Sequence, residues 1–191
     1  MPESSHLAYL RQALDLARQS PPRPSNFRVG ALLVDVAADS VLASGYTLEL
    51  PGNTHAEQCC FWKLAAAHNI SLDTQEDGGG GVESALARLP LDRLPRQLAL
   101  YTTMEPCSFR ASGNLPCVER ILRLAGAMTS RSTSARTVTV YAGVAEPDTF
   151  VARNTGRQTL EAAGIRFVHV PGLEDEILAV AKAGHKVEGE A

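Results

Sequence analysis

The first half of the chain alternates between helical and strand-like spacing of its apolar residues. Residues 6–19 place four apolar side chains on one helical face and end in a Ser-Pro-Pro stop, which predicts a first helix. Residues 27–34 and 41–46 are runs of strand-forming residues on either side of a polar corner, which is the pattern of a hairpin. A second helix is predicted over residues 55–68.

The second half alternates strands with helices after an irregular segment. Residues 71–95 contain four consecutive glycines and several acidic residues, and only residues 82–89 favour a short helix, so we expect a flexible surface insertion. Strands are predicted over 97–103, 137–143 and 165–170, and helices over 116–125, 155–163 and 173–184. This alternation predicts the α/β class.

Composition narrows the class of protein. The chain has 191 residues, 45% of them apolar, and we expect residues 1–191 to form a single domain with a substantial core. No apolar run is long enough to span a membrane and no signal peptide is visible, so we expect a soluble, cytoplasmic protein without a membrane partner. A net charge of −3 disfavours a nucleic-acid partner, although Arg120, Arg123, Arg131 and Arg136 could form a local basic patch.

The first motif with chemical content is Thr54-His55-Ala56-Glu57, where a loop enters the second helix. A neutral imidazole at this position can bind Zn²⁺, and a carboxylate two residues later can point toward whatever the metal binds. The same residues also fit an acidic side chain at a helix start, favoured by the helix dipole, beside an incidental histidine. Taken alone, the motif does not decide between these interpretations.

The second motif consists of two Pro-Cys pairs on either side of a loop. Glu105-Pro106-Cys107 ends a predicted strand, and Pro116-Cys117 begins the next helix. Proline suits the first turn of a helix, and the unpaired N–H groups there stabilise thiolates, which favours metal binding. Either cysteine taken singly also fits a small buried apolar residue. Because the chain shows no secretion signal, metal or catalytic use is favoured over disulfides.

The two motifs together supply three ligands for a catalytic zinc site. His55, Cys107 and Cys117 would leave the fourth coordination position open for water, as catalytic zinc requires. No further Cys or His lies within these motifs to close a structural site. Cys59 and Cys60 are adjacent residues of a predicted helix and cannot share a face, so we interpret both as core residues.

These residues resemble the zinc deaminases of the cytidine-deaminase superfamily, whose pattern is His-x-Glu followed by Pro-Cys-x-x-Cys. Here nine residues instead of two separate the cysteines. That spacing, within the segment Tyr101–Ile121, resembles the fungal branch of the pyrimidine deaminases of riboflavin biosynthesis, and residues 26–31 and 45–57 fit the same family. Bacterial members carry a histidine at the position of Phe109 and are usually joined to a reductase, for which we expect no room in this chain.

The resemblance implies a three-layer α/β/α sandwich with a mixed sheet of about five strands, one bound Zn²⁺ and a homodimer. It also implies a small phosphorylated pyrimidine as substrate, 2,5-diamino-6-ribitylamino-4(3H)-pyrimidinone 5'-phosphate, deaminated at C2. Glu57 would transfer the protons, and Asn26 and the backbone of Ala56 would contact the polar edge of the ring. Without the family match, Asn26 would be interpreted as a turn residue.

Two places are candidates for binding the phosphate. Arg153 and Asn154 precede a predicted helix whose amino-terminal N–H groups suit an anion. Arg110, in the loop between the two cysteines, is the competing candidate. An arginine at either position also fits an ordinary solvated surface residue.

Two other classes of function stay open. A deaminase of cytosine, of cytidine or dCMP, or of tRNA adenosine would use the same zinc chemistry, but those families mostly place two residues between the cysteines. A catalytically inactive, zinc-stabilised partner subunit would use the fold only for association. Such a subunit gains nothing from a carboxylate that is not a ligand, and Glu57 is such a carboxylate.

Overall fold

The computed structural model describes residues 3–70, 85–130, 136–150 and 153–185. In this part of the chain five strands form one mixed sheet with helices on both faces. The predicted three-layer α/β/α sandwich is therefore confirmed. None of the helices in these four ranges is long and apolar enough to cross a membrane.

The order of elements follows the predicted alternation. The elements are α1 (Glu3–Ala17), β1 (Gly30–Asp35), β2 (Ser40–Tyr46), α2 (Ala56–Ala67), a 3-10 turn (Leu91–Arg93), β3 (Gln97–Met104), α3 (Cys117–Ser130), β4 (Thr137–Val144), α4 (Gly156–Ala162), β5 (Arg166–His169) and α5 (Glu174–Ala181). The sheet order is β2-β1-β3-β4-β5. Strand β1 is antiparallel to β2 and β3, whereas β4 is parallel to β3 and β5.

The alternation of side chains along the strands creates one core on each face of the sheet. Leu33 and Leu100 face α2 and α3, and they belong to the larger core. Leu10 and Leu14 of α1 pack with Ile177 of α5 on the opposite face. Both faces of the sheet are therefore covered, which leaves the ends of the strands as the place for a pocket.

The first strand begins later than its sequence pattern predicts. The backbone N–H of Arg28 donates to the carbonyl of Ala181 at 3.0 Å, and the N–H of Val29 donates to Thr47 Oγ1 at 3.1 Å. These N–H groups are therefore bonded outside the strand ladder, and β1 starts only at Gly30. The prediction of a strand over 27–29 was wrong, and this segment instead borders a pocket.

The predicted insertion at 71–95 falls partly outside the described residues, which resume at residue 85. From there on, Leu86, Leu89 and Leu94 are buried in the core beneath α2. Residues 85–95 are therefore packed into the domain, because their apolar side chains have a core face to fill.

Close packing of β2 against α2 fixes where the second helix begins. A Cβ atom on Gly45 would lie 2.4 Å from the carbonyl oxygen of Ala56 and 2.7 Å from Cys59 Cβ, so only glycine allows this approach. The start of α2, with His55 and Glu57, is thereby held over one end of the sheet.

Candidate active site

The main pocket opens at the ends of the strands, beside the start of α2. It encloses about 760 Å³ of empty space, including solvent at its mouth. The lining comes from the loop before β1, the start of α2, the end of β3, the loop between the two cysteines and the loop after β4.

The structure brings His55, Cys107 and Cys117 together at one side of this pocket. His55 Nδ1 lies 3.5 Å from the Sγ atoms of both cysteines. Possible ligand atoms of the three residues all lie within 4.8 Å of one another, and no other such group occurs among the described residues. The side chain of His55 does not cap α2, so its ring is available to a metal.

These separations fit a tetrahedral zinc ion. Ligands at about 2.1 Å for nitrogen and 2.3 Å for sulfur, at the tetrahedral angle, would be about 3.6 Å apart. The observed nitrogen-to-sulfur distances are both 3.5 Å. One imidazole and two thiols from this chain therefore match the donor set and the spacing of a three-ligand zinc site.

The surroundings of the two cysteines favour a thiolate. The backbone N–H of Cys117, at the start of α3, donates to Cys107 Sγ at 3.4 Å. The thiol of Cys117 and the neighbouring His55 lower the pKa of Cys107 to about 4, although burial opposes them. The same contact with Cys107, together with burial, raises the pKa of Cys117. Zinc ligation requires thiolates, so metal binding would release the thiol protons of the pair.

Glu57 is a buried carboxyl group beside the three possible ligands. Its side chain is 3% exposed, and Oε2 lies 3.3 Å from Cys117 Sγ. Oε1 lies 3.2 Å from the hydroxyl of Thr102, which also lies 3.0 Å from the carbonyl oxygen of Met104. Burial raises the pKa of Glu57. A carboxyl group with a raised pKa, next to a metal site but outside its ligand set, suits a carrier of protons.

Asn26 and Ala56 both lie at the pocket end of the sheet. The Asn26 side chain lines the pocket, donates to Asn53 Oδ1 at 3.0 Å and accepts a bond from the Ser25 hydroxyl at 2.9 Å. These bonds fix the orientation of its amide. Ala56 is buried and is the first residue of α2, directly before Glu57.

The region of Arg153 and Asn154 does not form the free anion site that the sequence predicts. Asn154 Oδ1 accepts bonds from the N–H groups of Ser108 and Gly156, at 2.9 and 3.1 Å. The N–H of Arg157, in the first turn of α4, donates to the carboxylate of Glu105 at 2.7 Å. The helix-start donors are thus already bonded, and Asn154 connects this loop to the segment after Cys107.

Arg110 is buried, with 6% of its surface exposed, so the alternative of a solvated surface residue is wrong for it. Its guanidinium group donates to Gln58 Oε1 at 3.2 Å and to the carbonyl oxygen of Asn53. Arg110 also lines the pocket.

The sequence interpretation missed Glu146, which lines the pocket from the loop after β4. One signal could have found it. Glu146 follows β4 closely, and β4 is parallel to β3, which leads into Cys107, so the residues after both strands lie at the same edge of the sheet. Phe27 and Phe150 were also missed, and their rings pack at 4.8 Å in the pocket wall.

Glu146 should make the stability of the protein depend on pH. Burial, with the negative charges of Cys107 and Glu57 next in effect, raises the pKa of Glu146 to about 8 from 4.5. Between these values the folded state keeps a proton that the unfolded state loses, so stability falls as pH rises through this window. Between pH 5 and pH 8 we expect the melting temperature of Glu146→Gln to fall by several degrees less than that of the wild type.

Melting of the zinc-loaded wild type, Glu146→Gln and Glu119→Gln at the two pH values measures this difference. Glu119 is an exposed residue of α3 and serves as the control. Equal falls in melting temperature for all three proteins would contradict the prediction.

Comparison with known proteins gives three consistent results. Residues 3–130 match the family model described as the cytidine and deoxycytidylate deaminase zinc-binding region. The chain is 31% identical over 181 residues to the diaminohydroxyphosphoribosylamino-pyrimidine deaminase of Schizosaccharomyces pombe. The match covers 95% of this chain but only 36% of that relative.

Among solved structures, the fold is similar to that of the Rib2 deaminase of Aspergillus oryzae. The C-terminal deletion mutant at pH 4.6 superposes with a TM-score of 0.77 at 46% identity, covering 95% of this chain and 92% of that chain. The same relative in complex with DARIPP, at pH 6.5, gives a TM-score of 0.76 at 45% identity, with the same coverage of both chains.

Proposed function

This chain belongs to the cytidine and deoxycytidylate deaminase family, and we propose that it is a zinc-dependent pyrimidine deaminase of riboflavin biosynthesis. The reaction is the hydrolysis of 2,5-diamino-6-ribitylamino-4(3H)-pyrimidinone 5'-phosphate to 5-amino-6-ribitylaminouracil 5'-phosphate and ammonia. The observation that carries the proposal is the buried carboxyl of Glu57, 3.3 Å from a sulfur of the possible ligand set but outside that set.

In this proposal His55, Cys107 and Cys117 hold the zinc and Glu57 moves the protons. The bound zinc supplies a Lewis acid that makes water nucleophilic at neutral pH. Glu57 accepts a proton from the attacking water and delivers it to the ring nitrogen as the new C–O bond forms at C2. Glu57 then takes the remaining proton of that oxygen to the exocyclic amine. The C2–N bond breaks, a C2 carbonyl forms and ammonia leaves.

The pocket offers polar groups for the pyrimidine ring. We assign the fixed amide of Asn26 and the backbone of Ala56 to its polar edge. Among the residues that the structure describes, Glu146 Oε2 has no hydrogen-bond partner, and a ring N–H or amino group would supply the missing donor. The compound bound by the Aspergillus relative supports a ligand of this kind, since that relative is 45% identical over most of its length.

The exposed side chain of Arg153 is our proposed phosphate contact, and Asn154 acts by holding the neighbouring loop. We also propose a homodimer, which the family resemblance implies, and a cytoplasmic location.

The test is ammonia release by the zinc-loaded protein from a panel of substrates. We expect turnover of the ribityl diaminopyrimidinone 5'-phosphate and little of its dephosphorylated form. The ribosyl analogue belongs in the panel, because the name of the fission-yeast relative refers to a phosphoribosylamino compound. Cytosine, cytidine and dCMP complete it. Activity confined to a cytosine compound would retain the zinc chemistry and overturn the proposed substrate.

Replacement of Arg153 tests the phosphate contact. Because a guanidinium interacts strongly with phosphate, we expect Arg153→Met to raise KM for the phosphorylated substrate by about 10-fold, with kcat little changed. The exposed Arg96 gives the matched control, Arg96→Met. An unchanged KM in Arg153→Met would exclude Arg153 as the contact.

A further inference from the structure

The loop between the two cysteines contains a buried arginine that reaches a different part of the chain. Residues 108–116 connect Cys107 to the start of α3, and Arg110 is the third residue after Cys107. Its side chain leaves the loop and ends against the segment that leads into α2. Two parts of the possible zinc site, distant in sequence, therefore meet at one guanidinium group.

Both acceptors of Arg110 are next to functional residues. Arg110 Nη1 donates to Oε1 of Gln58, which directly follows Glu57 and is completely buried. Arg110 Nη2 donates to the backbone carbonyl of Asn53, two residues before His55. The side chain of Asn53 in turn accepts the bond from Asn26 at the pocket wall. Arg110 thus contacts the residues on either side of the His55–Glu57 pair.

A buried positive charge needs compensation, because removing it from water is costly. The acceptors that bond Arg110, an amide oxygen and a peptide carbonyl, are both neutral. Burial lowers the pKa of Arg110, and the negative charges of Cys117 and Cys107, followed by that of Glu57, counteract the effect.

Arg120 is a second buried arginine in this region. It lies in α3, is completely buried, and its guanidinium donates to the carbonyl of Leu115 in the cysteine loop. Arg110 bonds from that loop to the segment that leads into α2.

We propose that Arg110 is a positioning residue for the metal site: it holds the cysteine loop against the segment that bears His55 and Glu57, rather than binding the substrate phosphate. The inference rests on the zinc site of the proposed function. The zinc content of the wild-type protein tests that site by itself.

The experiment compares Arg110→Met and Arg110→Lys with the exposed control Arg96→Met, each as the full chain. Zinc affinity is measured by competition with a chromogenic chelator, and melting temperatures are recorded with and without zinc. We expect Arg110→Met to weaken zinc binding by about 10- to 100-fold, as for other residues that orient metal ligands. Arg110→Lys keeps the positive charge but lacks the planar guanidinium that bonds two acceptors at once. Its zinc affinity should therefore lie between those of Arg110→Met and the wild type.

The gain in melting temperature on zinc binding separates this role from general stabilisation. A purely structural arginine would lower the zinc-free and zinc-loaded melting temperatures equally, whereas the proposal requires the gain itself to shrink. If Arg110→Met does not fold, Gln58→Met removes one of the two acceptors and should also weaken zinc binding. Wild-type zinc affinity in the folded variants would overturn the proposal.

Steady-state kinetics test separately whether Arg110 instead binds the substrate phosphate. In zinc-saturated Arg110→Met, we expect KM to change by the same factor for the phosphorylated and the dephosphorylated substrate. A rise in KM confined to the phosphorylated substrate, with zinc affinity unchanged, would make Arg110 the phosphate ligand instead. If the wild-type protein binds no zinc, the zinc site of the proposed function is wrong. If the wild type binds zinc and only the Arg110 variants behave differently from expectation, the zinc site stands and only the role of Arg110 is wrong.

Discussion

Replacement of Glu57 by glutamine should lower kcat by about 10⁴-fold while zinc stays bound. This is the upper range for loss of a general acid and base, and it applies here because Glu57 is proposed to serve in both proton transfers. Glutamine has nearly the same shape but cannot accept a proton from water. Because Glu57 lies outside the three possible ligands, its loss should leave the zinc stoichiometry near one per chain.

Steady-state kinetics and zinc analysis of the same preparations measure both effects. Glu119→Gln is the matched control, since Glu119 stands in the first turn of α3 as Glu57 stands in the first turn of α2, but is exposed. A fully active Glu57→Gln would refute the proposed mechanism. Loss of zinc in this variant would show that the carboxylate is a ligand.

Replacement of Cys117 by serine should remove both the metal and the activity. A serine hydroxyl does not ionise at neutral pH and is a poor zinc ligand, so two of the three ligands remain. Loss of a residue that only hydrogen-bonds to a metal ligand lowers metal affinity by up to roughly 100-fold. Because Cys117 is itself a proposed ligand, we expect its replacement to lower zinc affinity by more than this. Activity should fall to background, and added zinc should no longer raise the melting temperature.

The chain provides a matched control for this variant. Cys59 is buried like Cys117, but its sulfur donates to the carbonyl of Tyr46 at 3.6 Å, and it does not belong to the metal cluster. A serine at this position can keep the same bond, so Cys59→Ser should retain zinc and activity. If Cys117→Ser keeps one zinc per chain, the ligand assignment is incorrect.

Local sequence features were sufficient for the α/β class and for most helices and strands. The predicted helix 55–68 corresponds to α2 at Ala56–Ala67, because helix-forming residues follow a capping position and apolar residues fill a core face. The strand at 27–34 was predicted three residues too early. Spacing shows which residues can form a strand, but the N–H groups of Arg28 and Val29 have partners elsewhere in the chain.

Some residues of the candidate site could also be recognised from the sequence, and others could not. His55, Cys107 and Cys117 were recognisable because zinc chemistry restricts its ligands to a few residue types, which stand here beside helix starts. No sequence motif distinguishes Glu146, because a single glutamate after a strand is common. Only the parallel pairing of β3 and β4 brings it beside the cysteine segment, where burial changes its chemistry.

The arginines were the least predictable part. From the sequence, Arg153 was the first candidate for the phosphate contact and Arg110 its competitor, because charge alone suits both a solvated and an anion-bound residue. The fold buries Arg110 against Gln58 and Asn53 and leaves the side chain of Arg153 exposed.

The sequence by itself determined the chemistry available to the site, since residue type sets which ligands and charges exist. Only the tertiary structure decided which charges are removed from water, because burial and partner distance depend on contacts between distant segments.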